Sequence, residues 1–179
     1  VTGTGGLGFE DALQLAHAGA EVIIAGRNST KGEDAVQRIR QSAAGANVRF
    51  ELLDLADLTS VAAFGERLKG QVGSLDLLIN NAGVMTPPRR LTTADGFELQ
   101  LGANHLGHFE LTAQLMDALA APKPVTHDEE PRKSRVVAVG SLATRIYPFD
   151  LEDWQSTHLY EPRRAYAASK HALEMFTFE

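Results

Sequence analysis

Near the C-terminal end of the sequence a phenol and an ammonium stand four residues apart, in Tyr166-Ala-Ala-Ser-Lys170. The flanks read as helix: alanines favour that state, and Ala168, Ala172, Met175 and Phe176 recur at three- and four-residue steps. On a helix, residues four apart lie one above the other, so the two groups project side by side. A neighbouring positive charge favours the phenolate, which makes a tyrosine usable as a proton donor or acceptor near neutral pH. A Tyr and a Lys on a solvated helix face would show the same spacing. The pair acquires meaning only from the elements that position it.

Those elements alternate. A turn, Thr2-Gly-Thr-Gly-Gly-Leu-Gly8, precedes a helix expected over 9–17 and closed by Gly19. Glu21-Val-Ile-Ile-Ala25 is a short, β-branched apolar run, the pattern of a strand buried on both faces. Gly3, Gly5 and Gly8 match G-x-G-x-x-G between strand and helix. In that context glycines let the backbone approach a pyrophosphate, which sits on amides at the positive end of the helix. A plain turn before a core helix is the bland alternative. Where an acidic residue would select NAD, at the end of the second strand, the chain has Gly26 and then Arg27. A guanidinium suits a 2′-phosphate and therefore NADP, NAD being the less favoured cofactor; the alternative is a residue capping a surface turn.

Asn28 or Ser29 could cap a helix over 30–41, a third strand follows at 47–53, and a helix from Thr59 or Ser60 runs to about 69. Leu75-Asp-Leu-Leu-Ile79 reads as a fourth strand, ending in Asn80-Asn-Ala-Gly83. A loop with Pro87, Pro88, Arg89 and Arg90 leads to one long helix expected over 93–119. Residues 121–131 are polar and proline-rich, hence an exposed loop, and Arg135-Val-Val-Ala-Val139 is a fifth strand before Gly140-Ser141. Residues 150–164 show no clean period, and suit loop with a short helix. Such β-α alternation predicts a doubly wound parallel sheet in three α/β/α layers, with ligands beyond the carboxyl ends of the strands. Gly3, Arg27, Asp54 and Asn81 fall at such ends. Asp54 could accept from an adenine amino group and Asn81 could touch the cofactor, or each could make a structural bond. Asn104 inside the long helix is either a structural bond to a neighbouring strand or the holder of an active-site water. His105 and His108 lack a third metal ligand at a convincing spacing, so no metal site is expected.

The 179 residues suffice for one domain, with no repeat or linker suggesting a second, and the composition, 44% hydrophobic and 22% charged, is that of a soluble globular protein. A formal charge of −6 argues against a nucleic-acid surface. The absence of cysteine excludes disulfides and thiolate metal sites, and fits a cytoplasmic location. No apolar run is long enough to cross a bilayer. The chain opens on Val1, in the last residues of a strand, and stops at Glu179 inside a helical pattern. It is therefore expected to be a piece of a longer protein, marginally stable and inactive if made alone.

Together, Thr2-Gly3 with the glycine turn, Asp54, Asn80-Asn-Ala-Gly83, Asn104, Ser141 and Tyr166-x-x-x-Lys170 resemble the short-chain dehydrogenase/reductase family, single-domain branch. Asn104-His-Leu-Gly-His-Phe109 and the long gap from Ser141 to Tyr166 resemble its retinol-dehydrogenase-like subgroup. The resemblance implies a Rossmann-type oxidoreductase moving hydride between nicotinamide and a ketone, aldehyde or alcohol. It implies catalytic Ser141, Tyr166, Lys170 and Asn104: Tyr166 as general acid/base, Lys170 on the nicotinamide ribose, Ser141 on the reacting oxygen, and Asn104 on a relay water. It implies cofactor contacts from Gly3, Gly5, Gly6, Leu7, Gly8, Arg27, Asp54, Leu55, Asn81, Ala82 and Gly83, with Tyr166 and Lys170. A homodimer pairing the long helix and the Tyr166 helix is also implied. The family turn usually has three residues between its first two glycines, whereas Gly3 and Gly6 have two. That departure favours a second reading, a cofactor-binding regulatory or sensor protein without turnover. A sugar-nucleotide epimerase or dehydratase is a third; its third glycine would fall at position 9, which is Phe.

Overall fold

Side chains alternate across a strand, so a strand that is apolar throughout must be covered on both sides. In the computed structural model, which describes residues 1–121 and 133–178, strand β1 (Val22–Gly26) is covered in this way, each side by its own cluster. Val22 and Ile24 pack with Phe9, Ala12, Val36 and Ile39 from helices α1 (Gly6–His17) and α2 (Ser29–Ser42). On the opposite side Ala25 packs with Val61, Phe64 and Leu111 from α3 (Leu58–Lys69) and a helix beyond residue 106. Burying a large aliphatic or aromatic side chain in such clusters is worth about 1.5–3 kcal/mol. These are the outer layers of an α/β/α arrangement.

The sheet is parallel. β1 pairs with β2 (Val48–Leu52) in the register Val22↔Val48 to Gly26↔Leu52, and β3 (Leu77–Asn80) pairs with β4 (Arg135–Ala138) from Leu77↔Arg135 to Asn80↔Ala138. Residues 1–3 join the two pairs. Gly3 N–H donates to the Ala25 carbonyl at 2.8 Å, Ala25 N–H to that of Val1 at 2.9 Å, and Thr2 N–H to that of Ile79 at 3.0 Å. The order is β2, β1, residues 1–3, β3, β4, as expected of a doubly wound sheet. Every strand therefore points its carboxyl end at one edge. No helix among the described residues is long and apolar enough to cross a membrane.

Most elements match their expected bounds within two or three residues. The caps are Gly5 for α1, the Asn28 side chain for α2 and Asp57 for α3, which starts at Leu58, one residue before the expected Thr59. The long helix expected over 93–119 is corrected. Gly96 has φ +86°, a conformation outside any right-handed helix, and Thr92 forms an antiparallel bridge with Glu98. Helix begins only at α4 (Leu99–Leu101), passes through a π-helical segment (Gly102–Leu106), and continues as α5 (Gly107–Gln114). Leu115 then breaks it before α6 (Met116–Ala120). Periodicity alone misses such a break, because one extra residue in a turn hardly alters an apolar stripe. The proline-rich stretch at 121–131 lies, apart from Ala121, outside the described residues. Residues 146–161 are irregular without the short helix considered for them, and α7 (Pro162–Phe176) carries Tyr166 and Lys170.

Gly107 lets α5 approach the end of β2 closely: a Cβ there would lie 2.3 Å from the Leu55 carbonyl oxygen. Alanine at this position gains about 1 kcal/mol of helix propensity. It also meets backbone that cannot swing aside, an overpacking cost of about 1–3 kcal/mol or more. Gly107→Ala is expected to lower the melting temperature of the full-length protein by several degrees. An unchanged or raised midpoint in a thermal melt would contradict this packing.

Candidate active site

Helix α7 starts where chemistry requires a start. Pro162 occupies its first turn, and the Glu161 carboxylate accepts the N–H groups of Arg163 (3.2 Å) and Arg164 (2.7 Å). One turn further, Tyr166 is half-buried, and among the described residues its hydroxyl makes no hydrogen bond. Lys170 is buried, with Nζ 6.0 Å from the Tyr166 ring centroid and donating to the Val139 carbonyl at 2.6 Å. Burial pulls its pKa below the usual lysine range, and the Glu174 carboxylate pulls it back up. The spacing read from the sequence thus places both groups on one helix, with the ammonium pinned at the end of β4.

Ser141 follows β4 and caps a short 3₁₀ turn (Leu142–Arg145), its Oγ accepting the Ala143 N–H at 3.2 Å. An accepting hydroxyl keeps its own hydrogen to donate elsewhere. Asn104 lies in the π-helical segment, fully buried. Its Oδ1 accepts the Val84 N–H (2.7 Å), and its amide donates to the Val84 carbonyl (2.9 Å) and to Ser169 Oγ (2.9 Å). Ser169 in turn donates to the Tyr166 carbonyl at 2.7 Å. The Asn104 side chain thus ties the loop after β3 to the turn bearing Tyr166.

A cleft of about 580 Å³ opens at the carboxyl ends of β1, β2 and β3. Of the expected cofactor contacts, Gly3, Gly5, Arg27, Asp54, Leu55, Asn81, Ala82 and Gly83 line it. Gly6, Leu7 and Gly8 form the first turn of α1 beside it, and Tyr166, Lys170 and Ser141 lie outside its lining. Gly3 has φ +101°, and a Cβ there would fall 2.8 Å from Asn81 Nδ2, so only glycine fits. No side chain caps α1, which leaves its first N–H groups for an anion. Asp54 Oδ1 accepts the Ala56 N–H at 2.9 Å, and Asn81 Nδ2 donates to the Thr2 carbonyl at 2.8 Å. Lys31, missed in the sequence, joins Arg27 in the lining. It sits four residues after Arg27, so a count of cations past the strand would have found it.

The family model described as short chain dehydrogenase matches residues 1–179. Human "Polyprenol dehydrogenase" is 42% identical over 176 residues, 98% of this chain and 52% of the relative. Human "Retinol dehydrogenase 13" is 42% identical over 182 residues, 100% of this chain and 52% of the relative. The chain spans about half the length of the curated relatives it matches. Among solved structures, an uncharacterized protein from Mycobacterium Paratuberculosis is 40% identical with a TM-score of 0.80, covering 99% of this chain and 58% of that one. The Pseudomonas aeruginosa RhlG/NADP active-site complex is 26% identical with a TM-score of 0.72, covering 98% and 62%.

His108 connects the parts of this site. Its Nδ1 is 2.9 Å from the Asn104 carbonyl, which can only accept, so Nδ1 carries hydrogen and Nε2 accepts from Thr2 Oγ1 at 2.9 Å. Complete burial, chiefly, lowers its pKa to about 4, so the folded protein holds it neutral. The unfolded chain protonates it near the ordinary histidine value of 6.5. The stabilisation is therefore complete above pH 6.5 and is lost as pH falls toward 4, about 3 kcal/mol in all. In denaturant titrations, the stability lead of the wild type over His108→Gln should narrow between those pH values. A constant gap would contradict the assignment.

Proposed function

The chain belongs to the short-chain dehydrogenase family, and we propose that its site moves hydride between NADP and the carbonyl or alcohol carbon of an apolar substrate. The observation that carries this reading is the Tyr166–Lys170 pair on α7, docked against the end of β4 beside Ser141. The nicotinamide supplies or takes the hydride when it is bound. Every other task falls to the chain. Tyr166 presents a hydroxyl that gives its proton to a carbonyl oxygen, or takes one from an alcohol. Ser141 donates the hydrogen left over from its capping bond to the same oxygen, where negative charge grows during reduction. Lys170 brings a buried positive charge beside the phenol. Asn104 holds the turn of Tyr166 against the loop after β3.

The cleft lining supports the choice of cofactor. Gly3 and the uncapped start of α1 suit a pyrophosphate, and Asp54 suits an adenine amino group. Two cations, Arg27 and Lys31, suit a 2′-phosphate better than two ribose hydroxyls. The NADP in the Pseudomonas aeruginosa complex supports the same choice. For the substrate, Met85, Leu142, Ile146 and Leu159 are exposed on loops that follow β3 and β4 or precede α7. These apolar residues, with relatives named for polyprenol and retinol, favour a substrate with a long hydrocarbon body. Phe109 of α5, 49% exposed, packs edge-to-face against Phe176 of α7 at 5.3 Å, a face suited to pairing with a second copy.

Fluorescence titration of the full-length protein is expected to show NADPH binding at least about tenfold tighter than NADH. Arg27→Asp should abolish or reverse that preference. Tyr166→Phe should keep NADPH affinity and lose roughly a hundredfold or more in turnover of an apolar aldehyde. Failure of both cofactors to bind would overturn the enzyme reading and point to the shortened turn between Gly3 and Gly8.

A further inference from the structure

We propose that Glu174 is a positioning residue, which holds the backbone of Ser141 from the same helix that carries Tyr166 and Lys170. The proposal rests on the reading of Ser141 and Tyr166 as the side chains that meet the reacting oxygen. Residues 166, 170 and 174 are each four apart, so they form one row along α7. Two members of that row are bonded to the chain leaving β4. Lys170 Nζ donates to the Val139 carbonyl at 2.6 Å, and Glu174 Oε1 accepts the Ser141 N–H at 3.2 Å. The spacings match: four helical residues rise roughly 6 Å, and two extended residues span roughly 6.6 Å. Helix and strand end therefore form a two-rung ladder.

The second rung has further support. Thr144 Oγ1 lies 3.4 Å from the same Glu174 oxygen while donating to the Ser141 carbonyl at 2.8 Å, so the carboxylate faces the whole turn that Ser141 caps. Gly140 makes the approach possible, since a Cβ there would fall 2.8 Å from Glu174 Oε1. A bond from an N–H to a carboxylate is stronger than one to a neutral acceptor. The two rungs also differ in what they leave free. If Lys170 turns its ammonium toward a bound ribose, the Val139 rung is given up, and Glu174 alone keeps Ser141 docked against α7.

The test uses the full-length protein as wild type, Glu174→Ala, Glu174→Gln, Gly140→Ala and Ser141→Ala. Two readouts are taken: hydrogen exchange of the Ser141 amide, and NADPH-linked reduction of decanal. Glu174→Ala should speed exchange at Ser141 and lower kcat by roughly tenfold to a hundredfold, with NADPH affinity unchanged. Glu174→Gln, whose amide oxygen can still accept, should recover most of both. Gly140→Ala should imitate Glu174→Ala, because its methyl displaces the carboxylate without touching the core. Combining Glu174→Ala with Ser141→Ala should cost little beyond Ser141→Ala alone. Unchanged exchange at Ser141, or penalties that multiply in the double variant, would overturn the proposal. If the wild type turns over no aldehyde, the functional reading fails, and exchange at Ser141 alone then decides the role of Glu174.

Discussion

The hydroxyl of Thr2 spends its whole hydrogen-bonding capacity on joining separate parts of the molecule. It accepts the N–H groups of Asn81 and Ala82, each at 3.0 Å, and shares its hydrogen between His108 Nε2 at 2.9 Å and the Ile79 carbonyl at 3.3 Å. Thr2 is 1% exposed and His108 fully buried, so each of these groups would cost about 1–3 kcal/mol if left unpaired. The glycine turn, the loop after β3 and the π-helical segment are therefore held by one small cluster. Among the described residues the two strand pairs are hydrogen-bonded to each other through residues 1–3, and that junction helps to hold the cleft in shape.

A second junction works the same way at the other side of the sheet. Helix α7 docks on the end of β4 through charged groups rather than apolar ones alone, with Lys170 and Glu174 reaching backbone atoms of Val139 and Ser141. Charged side chains are rarely buried without partners, because desolvation is costly. Here the partners are main-chain groups at the start of the turn that presents Ser141. The same contacts that make burial tolerable also align three side chains from two elements.

Much of this was legible in the chain itself. The parallel sheet in α/β/α layers, the glycine turn and the Tyr166–Lys170 spacing follow from local patterns whose period survives folding. The long helix over 93–119 did not survive, since its apolar stripe continues through a left-handed Gly96, a π-helical turn and a break at Leu115. Gln100 and Glu174 were missed for a different reason. Gln100 bonds Thr86, Tyr160 and Pro162, residues 14 to 62 positions away. No local pattern marks such a residue.

The sequence by itself determined which groups exist at which periods: a phenol and an ammonium one helical turn apart, glycines in the turn between a strand and a helix, and strands apolar on both faces. These properties depend on neighbours within a few residues, so chain order carries them. Only the tertiary structure decided which groups meet. The bonds of Asn104 to Val84 and Ser169, the neutral tautomer of His108 between Thr2 and Asn104, and the hold of Glu174 on Ser141 each depend on surfaces far apart in the chain. Desolvation penalises a buried polar group that lacks a partner, and packing determines which partner is within reach.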